Sequence, residues 1–190
     1  MSDLRFALPF GGRAKINAEV VAVVDRYRQH GPTDTEAGGS LLGRMMRDSL
    51  DIVVDEVIEP GPGDVRTRYG FHLCDLAHQQ AHVDAAWKRS EGTCCFLGDW
   101  HTHAEPDPTP SSVDLDNWRR LLRVTATDEY PRLLFVIVGT EHVRAGQGGR
   151  ISMDIREAAP LDDASAGAFD AKVRSAFDEH RALTEGASPC

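Results

Sequence analysis

The chain has 190 residues, of which 41% are hydrophobic and 27% are charged. This length predicts one domain with a packed core, and the even mixture of charged and apolar segments excludes a disordered chain. The formal net charge of -9 and the pI near 5.3 argue against partners rich in phosphate, so neither a nucleic acid nor an anionic membrane is expected.

The N-terminal sequence does not resemble a secretory signal peptide, because Arg5 and Pro9 interrupt the apolar segment that such a peptide needs. The longest unbroken apolar run is residues 133–138, far shorter than the roughly 20 residues that span a bilayer. The adjacent pair Cys94 and Cys95 fits reduced thiols better than a disulfide framework. A cytoplasmic protein is therefore expected.

The first half of the chain predicts strand pairs and amphipathic helices. In chain order the predicted elements are a strand at 3–8, a helix from Ile16 to Tyr27, strands at 36–47 and 50–59 joined by a turn at Asp48–Ser49, a loop at 61–70 and a helix at 75–90. Asp75 is the candidate N-cap of the second helix, since its carboxylate can accept hydrogen bonds from the first turn.

The second half continues with the same mixture of elements. In chain order they are a strand at 94–101, a helix opened by Ser111, a buried strand at 133–138, a strand at 151–155 entered through a turn at Gly148–Gly149, and a helix carrying Phe169, Val173 and Phe177. The strands come in pairs and do not alternate strictly with helices, which disfavours a Rossmann fold. The sequence predicts a mixed α/β fold of α+β-like character.

The stretch from residue 98 to 118 carries the chemistry. His101 and His103 lie two residues apart on a predicted strand, so their imidazoles point to the same face and can converge on one ion. Asp114 follows in the first turn of the next helix, and three prolines stiffen the loop that would return it to the strand end. A His, His, Asp set leaves the fourth zinc position for water, which is typical of a catalytic site.

A site of this kind also needs a base for the water proton. Glu36 is the candidate, because Gly38 and Gly39 beside it allow other groups to approach the backbone closely. A purely structural interpretation of the helix start stays open, since Ser111 and Asp114 also match a capping box. The hypothesis depends on the combined pattern and not on any one of its parts.

Two competing sites are weaker. Residues 78–82 have the histidine spacing of a zincin helix, but Gln79 stands where the base is required, so a solvated helix face is predicted. His103 and Glu105 match part of the zinc deaminase motif, but the cysteine pair lies upstream at the wrong spacing, which excludes that interpretation. Cys190 has no predicted partner.

The combined pattern resembles the JAMM (MPN+) zinc metalloprotease family. The resemblance rests on Glu36 within a Glu-x-Gly-Gly-x-Leu-x-Gly sequence, on His101-Thr-His103, and on Ser111 and Asp114 at the spacing of the family. It implies a curved mixed β-sheet flanked by helices, with a cytidine-deaminase-like architecture. It also implies one zinc ion per chain with a catalytic water, held by His101, His103 and Asp114. Glu36 would be the general base, and Ser111 would steady the tetrahedral intermediate.

Finer features are similar to one bacterial subgroup of this family. They include Gly-Asp-Trp before His101, Trp118, and the pair His78–Gln79, although Ala104 replaces the usual proline. The resemblance implies an isopeptidase that hydrolyses the bond between a protein C-terminus and a target lysine. Its substrate would be a cGAS-like nucleotidyltransferase conjugated by E1- and E2-like proteins of CBASS anti-phage operons.

Two alternatives stay open at this point. The same chemistry would suit a deconjugase for a bacterial ubiquitin-like modifier. A non-catalytic MPN scaffold is disfavoured, because inactive relatives lose the ligands or the glutamate. The predicted organisation is a catalytic domain at 1–160 and a C-terminal helix and tail at 161–190 packed on that domain. The substrate tail is expected to lie extended beside a sheet edge.

Overall fold

The structure is a computed structural model that describes residues 1–128 and 130–185; Cys190 and the rest of the predicted tail beyond residue 185 lie outside the described residues. The strands are β1 (Leu4–Ala7), β2 (Arg13–Ile16), β3 (Gly38–Met45), β4 (Ile52–Val57), β5 (Val65–Thr67), β6 (Gly70–His72), β7 (Cys95–Thr102), β8 (Arg132–Val138), β9 (Val143–Gly149), β10 (Ile155–Glu157) and β11 (Ala159–Pro160). The helices are α1 (Ala18–Asp25), α2 (Leu76–Arg89), α3 (Ser112–Thr125) and α4 (Asp163–Glu185).

One mixed sheet organises the molecule. Its strand order is β10-β9-β8-β7-β3-β4-β2-β1-β11, while β5 and β6 form a separate hairpin. The pairs β2–β4 and β7–β8 are parallel and the other pairs are antiparallel. β7 therefore lies in the middle of the sheet between β3 and β8. The predicted mixed α/β fold is confirmed.

β8 shows why the sheet needs helices on both faces. Successive side chains of a strand point to opposite faces, and here both sets are buried. Leu134, Val136 and Val138 pack in the cluster that contains the apolar side of α1. The alternate residues pack against Trp118 and Leu122 of α3. The predicted buried strand at 133–138 is therefore confirmed, and its continuous apolar sequence is typical of burial on both faces.

α4 packs on the β4–β2–β1 end of the sheet, on the face opposite the one that α1 covers. Phe169 and Val173 are buried against Val53 of β4. Lys172 of the same helix lies 2.8 Å from the buried carboxylate of Asp51, which also pairs with Arg13. No helix in the described part of the chain is long and apolar enough to cross a membrane.

Most predicted elements are present near their expected bounds. Asp75 caps α2 by accepting a 3.1 Å hydrogen bond from the His78 backbone N–H, and residues 47–50 turn between β3 and β4. The helix predicted from Ile16 was wrong at its start. Ile16 belongs to β2, where buried Ala14 and Ile16 alternate with more exposed basic residues at the period of a strand.

Two further predictions were wrong. The predicted loop at 61–70 contains β5 and leads into β6. The predicted strand at 151–155 is a turn up to residue 154, with Ile151 93% exposed, and the strand β9 before it was missed. Its three glycines hide the strand pattern. Gly148 is needed there because a Cβ atom would lie 2.7 Å from Leu122 of α3.

Candidate metal centre and active site

Three predicted ligands meet at the end of β7. The Nε2 atoms of His101 and His103 lie 3.1 Å apart. Asp114 places Oδ1 3.4 Å from His101 Nε2 and Oδ2 3.4 Å from His103 Nε2. Tetrahedral ligands at about 2.0–2.1 Å from zinc are about 3.3–3.4 Å from one another, which is close to the spacing of the two imidazole nitrogens and of each nitrogen from its nearer carboxylate oxygen. It forms the sole metal-ligand cluster found among the described residues.

The loop between β7 and α3 brings Asp114 back to the strand. Its carbonyl groups at Glu105 and Pro106 accept hydrogen bonds of 2.7 and 2.9 Å from the N–H groups of Thr140 and His142, in the turn between β8 and β9. Because the loop is tied to the neighbouring turn, its prolines and backbone bonds together hold the start of α3 beside the histidines.

Ser111 and Asp114 form the capping box that begins α3. Ser111 Oγ accepts a hydrogen bond from Asp114 N–H at 3.2 Å, and Asp114 Oδ2 accepts one from Ser111 N–H at 2.7 Å. Burial would raise the pKa of Asp114, but hydrogen bonds from His101, His103 and Ser111 hold that pKa well below its usual range. The cap therefore orients an ionised carboxylate toward the two imidazoles.

Glu36 lies across from His103. Gly38 pairs with His101 in the antiparallel β3–β7 ladder, and Thr102 N–H donates to Ala37 O at 2.8 Å. Burial raises the pKa of Glu36 to about 7, against the opposing effect of His103. A carboxylate whose pKa lies near neutrality is suited to both accept and return a proton.

The β5–β6 hairpin holds Glu36 in place. Arg66 Nε donates to Glu36 O at 2.8 Å, and Glu36 N–H donates to Thr67 O at 2.7 Å. Phe71 donates its backbone N–H to the Glu36 carboxylate. A Cβ atom at Gly38 would lie 2.6 Å from the Phe71 ring, so the predicted close approach at this glycine is confirmed. These contacts were not predicted, because the sequence of the hairpin resembles a loop.

The centre opens into a cavity of about 1500 Å³. The lining residues come from β7 and from the facing sides of α2 and α3, with β6 at one end. Ser40, Gln79 and Asp99 also line it and were not predicted as site residues. Burial raises the pKa of Asp99 to about 7. The signal in the sequence was the i, i+2 spacing of Asp99 and His101, which places both on one face of β7.

The competing sites do not assemble. The rings of His78 and His82 pack against one another in a tilted arrangement on α2, with His78 Nε2 3.3 Å from Glu59 O and His82 Nδ1 2.8 Å from His78 O. One nitrogen of each ring therefore lies within hydrogen-bonding distance of a backbone carbonyl oxygen. Cys94 is buried in the core beside Leu42, and Cys74, Cys94 and Cys95 are free thiols.

Comparisons with known proteins agree with this geometry. The family model for prokaryotic homologs of the JAB domain, Prok-JAB, matches residues 20–155. A CD-NTase/cGAS isopeptidase of Escherichia coli (strain TW11681) is 35% identical over 157 residues, covering 83% of this chain and 94% of the relative. A CD-NTase/cGAS isopeptidase of Vibrio cholerae is 37% identical over 135 residues, covering 71% and 81% of the two chains.

A solved structure has the same fold. Protein DSY2949 from Desulfitobacterium hafniense superposes with a TM-score of 0.52 at 23% identity, covering 75% of this chain and 87% of that protein. The family resemblance seen in the sequence is confirmed by the family model and the relatives together. The chain belongs to the Prok-JAB family, the prokaryotic homologs of the JAB domain.

Proposed function

We propose that this protein is a zinc-dependent isopeptidase, which hydrolyses the bond between the C-terminus of one protein and a lysine of another. The observation that carries the proposal is the convergence of His101, His103 and Asp114 within the reach of one metal ion, beside a half-buried glutamate in a large cavity. The three residues would hold one zinc ion per chain. A zinc ion there supplies a Lewis acid that activates water and polarises the scissile carbonyl.

Glu36 is the general base in this proposal. Its carboxylate takes the proton of the attacking water and then gives it to the leaving lysine amine. Both transfers need the same group in two protonation states, and a pKa of about 7 lets Glu36 populate both near neutral pH. The backbone N–H of Phe71 favours the ionised form of this carboxylate.

Ser111 is the candidate donor to the oxyanion that develops on the scissile carbonyl. Its Oγ already accepts from Asp114 N–H, and a hydroxyl group that accepts one hydrogen bond can still donate its own proton. Capping and oxyanion stabilisation are therefore compatible at this residue. A donor held in place before the reaction lowers the barrier because it needs no reorganisation.

The relatives suggest the substrate. Those from Escherichia coli and Vibrio cholerae are named CD-NTase/cGAS isopeptidases, and both are matched over most of their length. We infer a CD-NTase joined through its C-terminal tail to a lysine as the substrate here, with E1- and E2-like proteins making the conjugate. In this proposal residues 1–160 form the catalytic domain, and the C-terminal helix packs on the β4–β2–β1 end of its sheet.

The experiment compares two isopeptide substrates that differ only in the tail. One carries the last ten residues of a CD-NTase from the same genome, and the other the tail of a bacterial ubiquitin-like modifier. We expect zinc-loaded protein to cleave the first with the higher kcat/KM, to lose activity on chelation and to regain it with zinc. Preference for the second tail would assign the ubiquitin-like substrate, and cleavage that survives chelation would contradict the zinc mechanism.

A further inference from the structure

A second set of polar groups lies in the cavity beside the metal ligands. Ser40 and Asp99 are register partners on β3 and β7, so their side chains are neighbours on one face of the sheet. Gln79 reaches the same place from α2, and its Oε1 atom accepts a 2.8 Å hydrogen bond from Ser40 Oγ. All three side chains line the cavity that contains Glu36 and His101.

Two of these side chains have unused hydrogen-bonding capacity. Gln79 is only 6% exposed, yet its Nε2 group has no hydrogen-bond partner among the described residues. Asp99 is partly buried, and its side chain makes no hydrogen bond or ion pair within the described ranges 1–128 and 130–185. Buried polar groups in folded proteins are nearly always hydrogen-bonded, so an unpaired donor at a cavity wall points to a ligand.

The position of Asp99 relates this set to the scissile bond. Asp99 precedes His101 by two residues on the same face of β7, which is about 6.6 Å along a strand. An extended peptide advances by about the same distance over two residues. A substrate tail that runs along β7 with its last carbonyl at the metal ligands passes Asp99 with a residue about two positions back.

The shape of the cavity favours a peptide over a single side chain. Its volume of about 1500 Å³ exceeds that of an ordinary small-molecule pocket. Exposed apolar side chains on α2 and α3, including Leu76, Val113 and Val124, line it. This wall suits several residues of an extended chain, with a few polar groups to fix their register.

We propose that Gln79 and Asp99 form a subsite for the backbone of one residue in the substrate's C-terminal tail. Gln79 Nε2 donates to the carbonyl oxygen of that residue, and the Asp99 carboxyl accepts from its N–H. In an extended chain these two backbone groups point to the same side, which matches one donor and one acceptor on the same wall. A carboxyl oxygen accepts in either protonation state. The inference rests on the proposed isopeptidase function.

The test uses an isopeptide substrate in which the CD-NTase tail is joined to the side chain of acetyl-lysine amide, which is the leaving group. In zinc-loaded protein, Gln79→Met and Asp99→Leu are expected to raise KM about tenfold, with kcat within about twofold, because they remove binding contacts and leave the reacting groups in place. Gln80→Met is the matched control. Gln80 lines the same cavity from α2, but its exposed amide already donates to Asp84 at 2.7 Å, so the wild-type KM is expected.

Asp99→Asn distinguishes two groups that Asp99 could bind, a backbone N–H of the tail and the ammonium group of a lysine. Asparagine keeps a carbonyl acceptor, so KM is expected to rise less than in Asp99→Leu. An equal rise in both variants indicates an ion pair with an amine and overturns the assignment to the tail backbone.

A scan of N-methylated tails tests the subsite without relying on variants alone. One methyl group within the last few residues is expected to raise the wild-type KM about tenfold and to have no further effect in Asp99→Leu. An unchanged KM in Gln79→Met and Asp99→Leu would overturn the subsite. So would a methyl group that, at every position of the tail, raises the KM of Asp99→Leu as much as it raises that of the wild type. Either result would leave the isopeptidase function intact. Failure of the wild type to cleave the unmodified isopeptide would overturn the function and the subsite with it.

Discussion

At the residue scale, Ser111 uses one hydroxyl group at the start of α3 for a helix cap and, in our proposal, for catalysis. As a cap alone, Ser111→Ala should cost about 1 kcal/mol of stability and leave turnover near normal. With the oxyanion role added, turnover should fall by about 10²–10³. Ser111→Asn keeps a capping oxygen but displaces the donor, so we expect a stable variant with low kcat.

The control for this prediction is to measure melting temperature and cleavage rate on the same zinc-loaded preparations. A stable Ser111→Asn variant with full activity would reduce Ser111 to a helix cap. The two reciprocal hydrogen bonds between Ser111 and Asp114 already establish the cap itself.

The candidate ligands could be predicted from sequence because their geometry is local. His101 and His103 share a strand face by period, and Asp114 follows in a helix start with its own capping pattern. Asp99 carries the same strand spacing, but Gln79 gave no comparable signal, because its proximity to Asp99 depends on how α2 packs over β3 and β7. Pairing between distant elements is set by tertiary contacts that a local pattern does not contain.

At the element scale, the β5–β6 hairpin positions Glu36, the general base in our proposal. Arg66 donates to the carbonyl groups of Glu36 and Thr35 at 2.8 and 3.3 Å. We expect Arg66→Ala to lower kcat about ten- to a hundredfold, since small displacements of a reacting group are costly, while KM changes by less than about threefold. Steady-state kinetics on the isopeptide at equal zinc loading measures both.

Arg68→Ala is the matched control, because Arg68 belongs to the same hairpin but donates to Gly31 O and Asp34 O and not to Glu36. Its kcat should remain near that of the wild type. In a Glu36→Gln background, Arg66→Ala should have no further effect on the residual rate. Equal losses from the two arginine variants would indicate that the hairpin is only a structural support.

Errors of prediction at this scale have one physical origin. β5 and β6 are three residues each, and β9 carries three glycines. None of these three strands has a run of β-branched or alternating apolar residues. These strands form because their neighbours supply hydrogen-bonding edges and packing. The long apolar strand β8 and the capped helices α2 and α3 carry their signal locally and were predicted correctly.

At the scale of the whole molecule, Asp51 connects the C-terminal helix to the sheet. Its carboxylate is 3% exposed and lies 2.8 Å from both Arg13 and Lys172. Burial would raise its pKa, but hydrogen bonds from Arg13, Lys172 and Ser49 lower the pKa of Asp51 to about 2. We expect Asp51→Asn to lower the free energy of unfolding by about 1–3 kcal/mol near neutral pH.

The pH dependence of this effect has a defined sign. The folded pKa lies below the unfolded value of about 3.9, so the stabilisation is complete above about pH 4 and is lost as the pH falls toward about 2. Urea unfolding at several pH values should show the wild type and Asp51→Asn converging over that range. The exposed Asp154→Asn serves as the control and should follow the wild type, and a constant gap for Asp51→Asn down to pH 2 would contradict the argument.

The most direct test of the central claim is hydrolysis of the isopeptide in H₂¹⁸O, followed by mass spectrometry of both products. We predict that zinc-loaded wild type releases an unmodified lysine peptide and a tail whose new C-terminal carboxyl group contains one ¹⁸O atom. Glu36→Gln at the same zinc loading should release neither, since a positioned general base contributes about 10²–10⁴ in rate. Cleavage at another bond of the tail, or equal release by Glu36→Gln, would contradict the account.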